Sequence, residues 1–196
     1  MTDEERREYF RIADEVVLDY REIAEPEVGP LIERINASVP DRFTAASSFA
    51  ATSRQMAHLL YKVQSQSPEL ARCLQAIDQK LNSLAQLFMS EEMQARKQPT
   101  RQVSLSGGGI AFAAHREFPV GTLLEMRIIL LPDTVGILTV GKVVKCDRKL
   151  MTKNGEFPWQ LAVSYEHLRE SDRELLVRHI MSKETQRLRE QRGEHS

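Results

Sequence analysis

Leu70, Leu74, Ile77, Leu81, Leu84 and Phe88 recur at intervals of 4, 3, 4, 3 and 4 residues. A helix carrying this unbroken a/d seam must lay it against a partner, and that requirement constrains the chain more than any other feature. The helix is well bounded. Ser67 can cap its free amides, Pro68 suits the first helical position, and Arg96, Lys97 and Pro99 mark its end. A preceding helix over about residues 41–65 presents Phe49, Met56, Leu60 and Val63 on one face. The small side chains of its early AASSFAA segment would let another helix backbone approach closely. The seam can be buried inside this helix pair or between copies of the chain. Helices this long could hardly be covered by one neighbour, so a homo-oligomer built on Leu70, Leu74, Ile77, Leu81, Leu84 and Phe88 is the expectation.

From Arg101 the hydrophobic period drops from helical to two. Strand patterns lie near 101–104, 109–113, 122–131, 135–146 and 158–165. In one of them Leu124, Met126, Ile128 and Leu130 face one way, while Glu125 and Arg127 face the other. Asn154-Gly155 is a two-residue hairpin signal, since both positions tolerate positive φ. A helix from Ser171 carries Leu175, Leu176, Ile180 and Leu188, with Ser171 and Glu174 spaced as a capping box. One further strand pattern, residues 16–23, puts Val16, Leu18 and Tyr20 on one side some eighty residues before the next strand. Between them Pro26, Gly29, Pro30 and Pro40 punctuate a passage with one short helical turn near Leu31–Ile35. The pattern predicts an α+β fold: a small six-stranded antiparallel β-barrel interrupted by a long helical, coiled-coil-like insertion and followed by a C-terminal helix. The expected divisions are 1–25 for an N-terminal arm and first strand, 26–99 for the helical insertion, 100–168 for the rest of the barrel, and 169–196 for the C-terminal helix and tail.

Composition excludes several classes of function. The chain of 196 residues is 41% hydrophobic and 28% charged, as a folded domain is, and its net charge of −1 gives no general attraction for DNA or an anionic membrane. Any anion site must therefore be a local cluster of arginines. The charged start, MTDEERREYF, lacks the apolar stretch of a secretory signal, and no apolar run approaches the ~18 residues needed to span a bilayer. Cys73 and Cys146 lie apart and read as reduced, partly buried fillers, which suits a cytoplasmic protein. The five histidines, at 58, 115, 167, 179 and 195, show no metal-ligand spacing and no nucleophile partner. Neither an enzyme nor a metal or cofactor protein is expected.

Two segments have ligand chemistry. Arg6, Arg7 and Arg11 form an RRxxxR cluster ahead of the first strand, and guanidinium groups bind phosphate or a guanine edge through paired hydrogen bonds. Taken alone, three such arginines are more often simply a solvated, charged N-terminus. The second segment is VSLSGGGIAF, residues 103–112, where hydroxyls and glycine amides in a tight turn can receive a phosphate oxygen or a base edge. A bulged turn that needs glycine accounts for it too. The glycines lack the Lys-Ser/Thr of a P-loop.

Taken together and in order, the two segments resemble those of the PilZ domain family. In that family RxxxR precedes the first barrel strand and D/N-x-S-x-x-G opens a later one, and together they clamp the bacterial second messenger cyclic di-GMP. RREYFRIADEVVLDYREI looks like the family's arm and first strand. SLSGGGI looks like its second motif, with Ser106 and Gly109 at the serine and glycine positions and Ser104 where the family has Asp or Asn. FPVGTLLEMRIILL and WQLAVSYEHL are similar as well. The resemblance covers residues 4–24 and 100–190. It implies a signalling effector that binds cyclic di-GMP through Arg6, Arg7, Arg11, Ser104, Ser106 and Gly109 and acts by ligand-dependent contact with an unidentified protein in motility, adhesion or exopolysaccharide pathways. The alternative is a degenerate member that does not bind the nucleotide and serves as a coiled-coil assembly module.

Overall fold

A computed structural model describes residues 10–37, 43, 45–96, 99–133, 135–148 and 157–193. The first strand, β1 (Arg11–Glu22), leads into α1 (Glu25–Asn36), α2 (Ala45–Gln66) and α3 (Pro68–Arg96). Five strands follow, β2 (Thr100–Ser106), β3 (Gly109–Ala114), β4 (Leu123–Leu130), β5 (Val135–Arg148) and β6 (Trp159–His167), and then α4 (Glu170–Gly193). Among the described residues the strands close into one barrel in the order β1-β2-β3-β6-β5-β4, every pair antiparallel. The isolated first strand is therefore a stave of the barrel, lying between β2 and β4, and the three helices are an insertion between β1 and β2. The predicted fold class stands.

β1 starts five residues earlier than its apolar pattern indicates. Its inward positions are Ile12, Asp14, Val16 and Leu18, all buried, and an acid at the second of these hides the alternation. The barrel interior is filled by inward residues of all six strands, among them Leu18, Leu105, Phe112, Met126, Ile128, Ile137 and Leu161. β4 and β5 are covered outside as well. Val17, Ile129, Leu138 and Val140 form a second core with Leu31 and Ile35 of α1, Phe43, and Ala85 of α3. This explains why these strands read as near-continuous apolar runs.

α1 is longer than the turn predicted from its prolines. Pro26 lies in the first turn, where a missing N–H costs nothing, and Glu27 Oε2 accepts the Ala24 N–H at 2.9 Å. That bond, and beside it the Arg21 guanidinium, hold the Glu27 carboxyl below its ordinary range. Burial of Leu31 and Ile35 then carries the helix past Pro30. α2 and α3 form an antiparallel hairpin joined by Ser67 alone, and the 29 residues of α3 give it a length of about 43 Å.

α4 closes the end of the barrel nearest Ile12, sending Leu175, Leu176 and Ile180 into the core. It begins at Glu170, so Ser171 lies inside the first turn and not at the cap; Arg169, which bonds Asp172 Oδ1 at 2.8 Å, precedes the helix instead. Leu188 is exposed rather than part of a buried stripe, and Cys73 is exposed rather than a filler. The Asn154-Gly155 turn lies outside the described residues. No described helix is long and apolar enough to cross a membrane.

Candidate nucleotide face and helical seam

Cross-strand neighbours in a sheet point to the same side, so the register fixes which candidate residues share a face. Arg11 stands opposite Ser106, Ser106 opposite Gly109, and Gly109 opposite Ser164. This row crosses β1, β2, β3 and β6 on the outside of the barrel. The next row is Ala13, Ser104, Ala111 and Ala162. The fold thus brings Arg11, Ser104, Ser106 and Gly109 together on one outer face. Arg6 and Arg7 lie outside the described residues.

Much of the turn's chemistry is already spent within the chain. Ser106 is buried, and its Oγ donates to the Gly109 carbonyl at 3.0 Å. The Gly107 carbonyl accepts from Arg173 Nη1 of α4 at 2.7 Å, and the Gly108 carbonyl accepts the Tyr165 N–H at 3.1 Å. Gly109 is glycine because β6 passes too close for a side chain: a Cβ there would overlap the Val163 carbonyl oxygen. Tyr165, beneath this turn, is buried, which pushes its phenol upward in pKa; the nearby Arg173 charge opposes that rise.

The seam on α3 lies largely in the open. Leu70 is 52% exposed, Ile77 50%, Leu81 44% and Leu84 46%, while Leu74 and Phe88 are half-buried. The face that α3 turns inward carries alanines, Ala71 and Ala85, both buried. On α2, Leu59 is also exposed.

Two polar clusters join elements distant in sequence, and no motif announces either. Asp14 on β1 is buried, with His179 Nε2 at 2.6 Å from Oδ2 and Lys183 Nζ at 3.0 Å from Oδ1, which clasps α4 to the barrel. Buried Glu125 on β4 meets Arg21 of β1 at 2.7 Å, Arg127 at 3.2 Å and Arg34 of α1 at 3.5 Å, tying the insertion to the barrel wall. An acid inside an apolar strand pattern, as at 14 and 125, is the sequence signal that could have found both. No group of three His, Cys, Asp or Glu able to hold a metal occurs among the described residues.

A closed antiparallel barrel with a terminal helix across one end, and a serine–glycine turn on its outer face, defines a small β-barrel domain. The model of the PilZ domain family matches residues 85–182, half the chain, and the chain belongs to that family. The matched stretch starts within α3, and β1 joins it through the register described above. Among solved structures, the chain is similar to a pathogenic protein from Xanthomonas campestris, described as a new tetrameric PilZ domain self-assembled via an unusual helical bundle. The identity is 15%, the TM-score 0.55, and the likeness covers 93% of this chain and 92% of the other. Weaker likenesses are to the inhibitor of motility of Bacillus subtilis (19% identity, 46% of this chain and 44% of that one, TM-score 0.39) and to the PilZ domain of YcgR from Escherichia coli with c-di-GMP (14%, 49% and 79%, TM-score 0.37). No curated protein matches the chain.

Proposed function

We propose that this chain is a PilZ-domain assembly module that associates with copies of itself through the outer face of its helical hairpin. The observation that carries this reading is the α3 seam. Leu70, Ile77, Leu81 and Leu84 keep heptad spacing yet stand about half exposed on a chain whose barrel core is complete. Full burial of one large apolar side chain contributes roughly 1.5–3 kcal/mol, so covering the exposed half of four contributes about 3–6 kcal/mol per copy toward association. A second copy is the matching occupant, because the same seam supplies both sides of a coiled-coil contact. The likeness to the Xanthomonas protein, itself described as self-assembled via a helical bundle, extends over 93% of the chain and so includes these helices. Light scattering should find an oligomer at micromolar concentration. Ile77→Asp with Leu81→Asp should yield monomers with an unchanged barrel spectrum. A monomeric wild-type protein would sink the proposal.

The second reading, a cyclic di-GMP receptor, rests on Arg11 standing across from Ser106 with Ser104 one row away. Arg6 and Arg7 would complete the clamp around the phosphates. The committed hydroxyl of Ser106 and Ser104 in place of the family's Asp or Asn both weigh toward the assembly reading. Calorimetric titration with cyclic di-GMP separates the two. On the receptor reading wild type binds, Arg7→Ala with Arg11→Ala abolishes binding, since each charge-assisted bond contributes roughly 1.5–3 kcal/mol, and Ser104→Asp strengthens it. No heat at high ligand concentration, with no rescue by Ser104→Asp, leaves assembly as the sole reading.

A further inference from the structure

The end of the barrel away from α4 holds Arg101, a cation with two guanidinium nitrogens that have no hydrogen-bond partner among the described residues. Arg101 lies on β2 opposite Val16, on the inward side of the wall. Its Nε and Nη1 are buried, and neither has a hydrogen-bond partner among the described residues. What surrounds it is aromatic: the guanidinium carbon sits 5.1 Å from the ring centre of Phe157 and 5.8 Å from that of Tyr20. Tyr20 in turn packs on Phe118, with ring centres 5.9 Å apart, and His115 stacks on Phe157 at 4.0 Å. A cavity of about 480 Å³ opens beside this group, lined by Tyr20, Arg101, His115, Arg116 and Phe118 and, on its acidic side, by Asp19 and Glu22.

Two other described cations at this mouth are already engaged. Arg21 pairs with Glu27 and Glu125, and Arg116 pairs with Glu22 at 2.7 Å while lying over the Phe118 ring. A buried guanidinium with unsatisfied N–H groups carries a desolvation cost that ring contacts offset only in part. An anionic oxygen removes that cost, and flat aromatic walls favour a flat ligand.

We propose that the barrel mouth binds an aromatic anion, a planar ring bearing a phosphate or carboxylate group, with Arg101 as the anion contact and Tyr20 and Phe118 as the walls of the ring slot. This site is separate from the outer face around Arg11. Eight residues of β1 separate Arg11 from Tyr20, a distance of about 30 Å along the strand.

The test titrates the full-length chain with phenyl phosphate, benzoate and inorganic phosphate, followed by calorimetry and by the fluorescence of Trp159, the chain's one tryptophan, which packs against the barrel core. Phenyl phosphate binding more tightly than benzoate assigns a phosphate ligand, and the reverse order assigns a carboxylate. Arg101→Met should weaken either by about tenfold or more. Without ligand it should melt no lower than wild type, because it removes two buried N–H nitrogens that have no partner among the described residues. Arg101→Lys keeps the charge but loses the Nε–H; it should fold and bind measurably more weakly than wild type, which keeps the test valid if the methionine variant misfolds. The proposal is overturned if neither aromatic probe binds at millimolar concentration or if the Arg101 variants bind as wild type does. It is likewise overturned if inorganic phosphate binds as tightly as phenyl phosphate.

Discussion

Gly109 illustrates how one residue can satisfy two explanations at once. As part of SLSGGGI it looks like a ligand-binding glycine, but its neighbourhood gives a structural reason for it, the Val163 carbonyl of β6. Gly109→Ala should therefore destabilise the fold by about 1–3 kcal/mol, the usual cost of overpacking, and do so with no ligand present. Urea denaturation measures this, and an unchanged midpoint would return the glycine to a purely ligand-binding role. Ser106 has the same double character, because its buried hydroxyl closes the turn onto Gly109. The motif's residues were legible in sequence, as was their convergence once β1 was taken as a barrel strand. Their internal commitments were not, because hydrogen bonds from Arg173 and Tyr165 come from residues more than fifty positions away.

At the level of elements, the apolar pattern located the strands of the second half to within two residues at every end, by alternation in β3 and as short apolar runs bounded by turns in β4 and β5. It failed where a polar side chain occupies an inward position or where an end is fixed by a distant partner. β1 was shortened by Asp14, α1 by its prolines, and the start of α4 was displaced by the Arg169–Asp172 pair. The Asp14 cluster also fixes how α4 is held. Asp14→Ala leaves buried His179 without its acceptor and Lys183 without its counter-charge. The loss should be roughly 1.5–3 kcal/mol. It should show as faster hydrogen exchange in α4 ahead of any in β3 or β6. Uniform loss across the barrel would mean that the clasp stabilises the whole domain and not this one helix.

On the scale of the whole molecule, the barrel is closed only through β1, which bonds β2 on one side and β4 on the other. Removing residues 1–24 cuts two ladders and opens the core, so protection of amides in residues 100–165 should collapse. Unchanged protection there would show that the later strands close without it. The heptad seam was fully legible and its exposure was not, because nothing in its spacing distinguishes a partner within the chain from one outside it. The placement of β1 also orders events in time. Val16 must wait for Leu130, 114 positions later, before its second ladder forms, whereas α2 and α3 need only the turn at Ser67. On a ribosome the hairpin emerges complete while its barrel is still half-made. Copies could thus meet through their helices before any of them has a finished domain, and that tethering would hold several slow, non-local β closures close together at the stage when unpaired strand edges are most exposed.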